Sequence, residues 1–259
     1  MPDASYDHES IPAKPLQPSG TMEYMRSFHY VFENPNWVTN ILFTGLCFLS
    51  TSVIPVIGQL VIQGYQFEIL EALHRNPGTQ YPDFDMNKLL DYLLRGFWVF
   101  LVSLVVVLVL FVVFFGLFVL GGAIVGGAGA AAGDDGAGIA IAVVGLIVVL
   151  IAFPIGIAAQ MIMVPLMLRA GLTQDFGSSF DIAFVKQFIR NTWMEMILSG
   201  LFLALAGLLL YIVGAAMLCI GIFFTMSIAM LMQAHLGVQL YELHLARGGD
   251  PILMKPPTA

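Results

Sequence analysis

Charged residues are scarce in this chain. Asp, Glu, Lys and Arg make up only 10% of its 259 residues, whereas soluble domains carry about 25%. Hydrophobic residues account for 59%, and the mean hydropathy is +0.89. This composition excludes an ordinary soluble domain and predicts that lipid surrounds most of the chain.

The chain also lacks paired cysteines, basic patches and a secretory signal, and each absence excludes a class of protein or site. The two cysteines, Cys47 and Cys219, lie in separate apolar runs, which argues against a disulfide framework or a cysteine zinc site. No lysine–arginine patch suits nucleic acid, so we expect no nucleic-acid partner. Residues 1–23 are polar and proline-rich and lack the pattern of a secretory signal. We predict a disordered cytoplasmic tail there and a second tail at 248–259.

The uncharged runs set the number of membrane spans, because a helix needs roughly 20 apolar residues to cross a bilayer. Residues 24–247 form the predicted membrane domain, and the glycine-rich segment 121–138 is predicted to be a flexible external loop. The predicted spans lie at about 37–54, 56–75, 97–120, 139–168, 195–213 and 216–241.

The first long run, from Trp37 to Arg75, is open to two interpretations. Pro55 and Gly58 follow a Ser-Thr-Ser sequence and favour a hairpin, but a single kinked span also fits the length. Lysine and arginine near span ends favour the cytoplasm. A hairpin places all ten basic residues on that side, whereas one span would leave Lys14 and Arg26 outside. We therefore predict six spans, with both termini cytoplasmic.

Three tryptophans mark where amphipathic segments lead into spans. Trp37, Trp98 and Trp193 are predicted anchors at the membrane interface, where an indole ring is half apolar and half polar. Pro154 and Pro165 are predicted to kink the fourth span. The predicted fold is an all-α polytopic membrane helix bundle of about six transmembrane helices, arranged as three hairpins with interfacial amphipathic helices.

Several short motifs resemble those of a known family. They are Tyr30-Val31-Phe32-Glu33-Asn34-Pro35-Asn36-Trp37, Ile54-Pro55-Val56-Ile57-Gly58-Gln59, Gly64-Tyr65 and Pro82-Asp83-Phe84-Asp85, with a closing segment Gly237 to Arg247. Together they resemble the prokaryotic multi-pass membrane family numbered 4013 among the domains of unknown function, over about residues 24–247. The resemblance implies an integral location in the cell (inner) membrane, and it brings no established activity or catalytic residues.

Glutamines within the apolar runs are the candidate functional lining. Gln59, Gln63 and Gln66 follow an i, i+4, i+7 spacing that places them on one helical face, and Gln160 lies in the fourth predicted span. Such side chains either hydrogen-bond between helices or line a solute path. Both interpretations remain open at this stage, although packing is the more common role.

Acidic and histidine side chains form a second candidate. Carboxylate and imidazole groups together could bind a transition metal. A di-iron bundle, however, needs a second Glu-x-x-His pair and further carboxylates. We therefore expect no metal here and interpret the groups as interfacial, solvated or paired with Arg75. The groups concerned are Glu68, Glu71, His74, Glu242 and His244.

No catalytic constellation or cofactor fingerprint is recognisable, so we expect no cofactor and no enzymatic activity. The glycine-rich segment lacks the lysine and serine or threonine of a phosphate-binding loop. Two functional hypotheses follow. The first is a scaffold that organises the membrane or a partner complex, by binding other membrane proteins or by self-association. The second is a transporter or channel for a small solute, since proline-broken helices can form binding sites.

Overall fold

The computed structural model describes residues 21–217 and 220–255, except for the side chains of 128–137 and 140. This part of the chain is helical and contains no strand, which confirms the all-α prediction. Its elements are α1 (Tyr24–Glu33), α2 (Trp37–Ser50), α3 (Pro55–Arg75), a 3-10 turn (Met86–Lys88), α4 (Leu89–Thr173), α5 (Phe176–Ser179), α6 (Ile182–Ala216) and α7 (Gly221–Ala246).

Helices α2 and α3 form the first hairpin. Helix α2 ends at Ser50, and Pro55 is the first residue of α3, a position where its missing N–H costs nothing. A Cβ added to Gly58 would lie 2.5 Å from the Cys47 carbonyl oxygen, so this glycine lets the two helices approach closely. The Trp37–Arg75 stretch is therefore two helices rather than one kinked helix.

The segment predicted as a flexible loop, 121–138, is helical rather than irregular, as part of α4 (Leu89–Thr173), but the chain does reverse its direction between Gly121 and Val144. The helix folds back on itself. A Cβ on Gly121 would lie 3.4 Å from Val148 and 3.5 Å from Val144, although 23 residues of straight helix span about 35 Å. The two halves thus form a second hairpin. In lipid the backbone must bond internally, so glycine, which weakens helices in water, can continue a helix here alongside alanine, which favours helix in either solvent.

Helices α6 and α7 form the third hairpin. Asp181 caps α6 by accepting hydrogen bonds from the N–H groups of Ala183 and Phe184. At the other end a Cβ on Gly214 would lie 2.7 Å from the Ile222 Cα, so the backbones nearly touch beside the turn. Residues 218 and 219 lie outside the described residues, and Cys219 is one of them.

Of the three predicted interfacial helices, only the first is a helix separate from the span that follows it. Helix α1 is a short helix of its own, with Ser27, Tyr30 and Val31 buried against the bundle. The segments leading to Trp98 and Trp193 are instead the first turns of α4 and α6. No glycine or proline directly follows Trp98 or Trp193, so the helix continues from each of these segments into the span.

All three hairpins begin and end at the same end of the bundle, which we call the charged end. Ion pairs there join α3 to α4, and α6 to Arg247 directly after α7. Residues 250–255 cross this end as a strap. The Ile252 N–H donates to the Tyr241 hydroxyl at 2.8 Å, and the Lys255 N–H donates to the Leu172 carbonyl at 3.0 Å. Residues 250–255 of the predicted C-terminal tail are therefore packed against the ends of α4 and α7.

Four helical stretches of the described chain are long and apolar enough to cross a membrane. They are Met86–Gly127, Ile141–Thr173, Ile182–Ala216 and Gly221–Ala246. Helix α2 is apolar but has only 14 residues. Helix α3 is not among the four, and it packs against α2, α4 and α7, with most of its apolar side chains buried. Pro154 and Pro165 both lie inside α4, which continues through them.

Candidate functional site

The glutamine stripe of α3 faces α7. Leu70 continues the stripe, four residues after Gln66 and seven after Gln63. A Cβ on Gly237 of α7 would lie 3.3 Å from the Leu70 Cδ1, so this face of α3 is turned toward α7. The stripe therefore lies along the contact between α3 and α7, where the three glutamines are half-buried.

These amides are not used in hydrogen bonds between helices within the described residues. The Gln63 Oε1 is buried there without a partner, which is costly for an amide. Gln160 is exposed on the second half of α4, and no hydrogen bond joins it to the α3 stripe. The structure thus places Gln63 as the central polar group of the stripe.

A second polar pair lies where α1 crosses α7. The His235 ring stacks on the Tyr30 ring with centroids 4.3 Å apart, and both side chains are buried. The Gln239 amide lies 2.9 Å from His235 Nδ1 and also hydrogen-bonds the Glu23 backbone. Burial raises the pKa of the Tyr30 phenol well above its usual value, so the phenol stays protonated. This pair fastens α1 to the bundle.

The acidic and histidine groups considered as a possible metal site have separate partners. Glu68 pairs with Lys88 at 2.8 Å, and Glu71 pairs with Arg95 at 2.5 Å. His74 Nδ1 hydrogen-bonds Glu242 of α7. His244 instead packs against Phe184 and Phe188 of α6. Within the described residues no three His, Cys, Asp or Glu side chains are grouped closely enough to hold a metal ion.

Sequence reasoning missed an asparagine cluster around Asp83. Amide groups of Asn34, Asn36 and Asn40 donate to its carboxylate at 3.0, 2.6 and 3.0 Å. Partial desolvation raises the pKa of Asp83, but these three hydrogen bonds together outweigh it and hold the pKa below its usual value. The cluster joins the loop before α4 to the junction of α1 and α2. Two of its motifs were visible in the sequence, but nothing indicated that they meet.

The predicted anchors lie at helix starts or in early turns. Trp37 is the first residue of α2, while Trp98 is half-buried in α4 and Trp193 is exposed on α6. The tryptophans of α4 and α6 therefore sit near the charged end, where their helices begin.

Comparison with known proteins identifies a family. A family model described as a protein of unknown function (DUF4013) matches residues 47–220. This confirms the suspected family over a shorter range than the motifs indicate, since the Tyr30–Trp37 motif precedes the matched range. No curated protein and no solved structure matches the chain.

Proposed function

The chain belongs to the DUF4013 family, and we propose that this integral membrane protein is a non-enzymatic scaffold that organises the membrane or holds a partner complex. The supporting observation is that ion pairs cross-tie the hairpins at the charged end. Glu71 of α3 pairs with Arg95 of α4 at 2.5 Å, which joins the first hairpin to the second. Arg169 near the end of α4 pairs with Asp181, the residue before α6, at 3.3 Å, which joins the second hairpin to the third. Cross-ties between hairpins resist the rocking of helix groups that alternating access requires.

The strap strengthens these ties. It hydrogen-bonds α7 and α4, and the Arg75 guanidinium at the end of α3 donates to the Lys255 carbonyl at 3.1 Å. One short segment thus connects three helices at the charged end. A rigid charged end is suited to holding a partner in a fixed position.

The same end offers charge for such a partner. Lys186 and Arg190 are exposed one turn apart on α6 and form no ion pair within the described residues. We propose that this end faces the cytoplasm of a prokaryotic cell, with both termini on that side of the inner membrane. Basic side chains near span ends favour this orientation.

Affinity purification in a mild detergent tests the scaffold. The wild-type chain is expected to elute with a stoichiometric protein partner or as a defined oligomer. The double variant Lys186→Glu, Arg190→Glu is expected to lose that assembly. The matched control Lys186→Arg, Arg190→Lys keeps both charges and should retain it. A wild-type chain that elutes as a partner-free monomer would overturn the proposal.

Transport of a small solute is the second candidate, and Gln63 favours it. A buried amide oxygen without a protein partner suits a site that water or a polar solute reaches. In a variant without the native cysteines, Gln63→Cys should then react with a small water-soluble thiol reagent. Ile62→Cys, on the neighbouring buried position of α3, is the control. Protection of both positions would indicate a dry contact and would exclude the transport hypothesis.

A further inference from the structure

The turn between α2 and α3 presents an apolar surface. Val53, Ile54, Val56 and Ile57 are 82%, 51%, 46% and 50% exposed. The surface continues along the exposed face of α2, which carries Val38, Leu42, Leu46 and Leu49. Ser50 and Ser52 are exposed here as well, but large apolar side chains dominate the turn, and an exposed apolar patch of this kind is typical of a membrane contact.

The backbone of this turn is largely satisfied from within. The N–H groups of Thr51 and Ser52 donate to the carbonyls of Phe48 and Leu49 at 3.1 Å, and the N–H groups of Val53 and Ile54 both donate to the Ser50 carbonyl at 3.0 and 2.8 Å. Pro55 has no N–H and the Ile54 N–H is bonded to Ser50, so the four donors that a helix start normally leaves open are reduced to two.

Two of the three hydroxyl groups of the turn are also satisfied locally, whereas the exposed Ser52 hydroxyl has no hydrogen bond among the described residues. Ser50 donates to the Cys47 carbonyl at 2.7 Å, and Thr51 donates to the Phe48 carbonyl at 2.6 Å. Irregular backbone is costly in hydrocarbon unless its polar groups are bonded internally. The turn therefore has the chemistry of a segment that lies in lipid.

Helix α4 extends well past this turn. Its Tyr92 lies against Gly64 of α3, and its Gly96 lies against Leu60, so the two helices run antiparallel in register. Pro55 then lies beside residue 101 or so. From there the first half of α4 continues to Gly127, which is about 39 Å beyond the turn at about 1.5 Å per residue. Beyond the turn it exposes large apolar side chains, among them Phe111, Phe115 and Phe118.

The turn between α6 and α7 lies at a similar level. Gly45 of α2 packs against Phe224, which is in the first turn of α7. Met217 and Ile220 at that turn are exposed and apolar as well. The two turns thus form one apolar shelf, and the α4 hairpin passes beyond it.

We infer that the α2–α3 turn, residues 51–57, ends inside the bilayer and binds lipid acyl chains, so that α2 and α3 form a re-entrant hairpin that does not cross the membrane. The exposed apolar part of α4 beyond the shelf needs hydrocarbon around it, so hydrocarbon extends past the turn. Helix α2 agrees with this, since 14 residues span about 21 Å and a crossing needs about 30 Å. This inference does not depend on the proposed scaffold function.

Depth-dependent fluorescence quenching tests the inference. In a variant without the native cysteines, Val53→Cys carries a small fluorophore in the full-length protein in liposomes. We expect several-fold stronger quenching by nitroxides on lipid acyl chains than by aqueous iodide. In intact cells an impermeant thiol reagent should leave Val53→Cys unlabelled and should label Gly138→Cys, which is exposed beside the turn of the α4 hairpin.

The opposite results would overturn the inference. Outer-surface labelling of Val53→Cys as fast as that of Gly138→Cys, together with quenching by iodide, would show that the hairpin crosses. Leu46→Cys, on the exposed face of α2, is the lipid-facing reference for quenching. If Val53→Cys does not yield a monodisperse protein, Ser52→Cys at the same turn gives the same two measurements.

Discussion

Asp83 illustrates how one carboxylate can hold a loop in place. Its carboxylate accepts hydrogen bonds from three asparagine amides. Replacement of Asp83 by alanine removes all three bonds and is expected to destabilise the protein by about 1–3 kcal/mol. The pKa of Asp83 is lower in the folded protein than in the unfolded chain. The stabilisation by Asp83 is therefore fully present above about pH 4, near the pKa of Asp in the unfolded chain. It is lost as the pH falls through the lower pKa that Asp83 has in the folded protein.

Thermal unfolding of the detergent-solubilised protein across this pH range measures both effects. Asp83→Asn should unfold at a lower temperature at neutral pH and lose the acid dependence that Asp83 contributes. The control is Asp91→Asn, because Asp91 is exposed in the first turn of α4 and forms no hydrogen bond or ion pair among the described residues. Equal unfolding temperatures for Asp83→Asn and the wild type would refute the role of the cluster.

At the scale of elements, α3 and α4 pack as closely as two glycines allow. A Cβ on Gly64 would lie 1.9 Å from the Tyr92 carbonyl oxygen, and backbone cannot rotate away as a side chain can. Gly64→Ala should therefore separate the helices and lower the unfolding free energy by about 1–3 kcal/mol. Gly116→Ala is the control, since nothing lies within 4 Å of its Cβ. Equal thermal stability of the two variants would contradict this packing.

The strap gives a second prediction at this scale. Ile252 is 5% exposed and Leu253 is 87% exposed, so neighbouring positions differ greatly in burial. Ile252→Ser should lower the thermal stability, because burying an isoleucine side chain contributes about 1.5–3 kcal/mol. Leu253→Ser should leave it unchanged. If the two variants unfold at the same temperature, the strap does not stabilise the charged end.

These elements also show what the sequence could predict. Apolar runs of membrane-spanning length and the break at Pro55 were enough to predict hairpins and the all-α class. The run of glycine and alanine before Asp134 was predicted to be an irregular loop because glycine weakens helices in water, but it is helical where the backbone must bond internally. The Asp83 cluster and the His235–Tyr30 stack join segments far apart in sequence. Local periodicity carries no information about such contacts.

For the whole molecule, the common end of the three hairpins makes sidedness testable at several sites at once. The start of α1, the end of α7 and the strap all belong to the charged end, so every probe placed there should report the same compartment. Ser10→Cys and Leu253→Cys are expected to resist an impermeant thiol reagent in intact cells. Both should react in inverted membrane vesicles, where the cytoplasmic side is exposed.

The control for sidedness is Gly138→Cys, which should show the reverse pattern because it lies at the far turn of the α4 hairpin. Labelling of Ser10→Cys but not Leu253→Cys in intact cells would mean an odd number of crossings, and the common charged end would then be wrong. A re-entrant α2–α3 hairpin and a crossing one predict the same result at these sites, since both return the chain to its starting side. Sidedness and turn depth are therefore independent measurements, and together they determine whether the α2–α3 hairpin crosses the membrane.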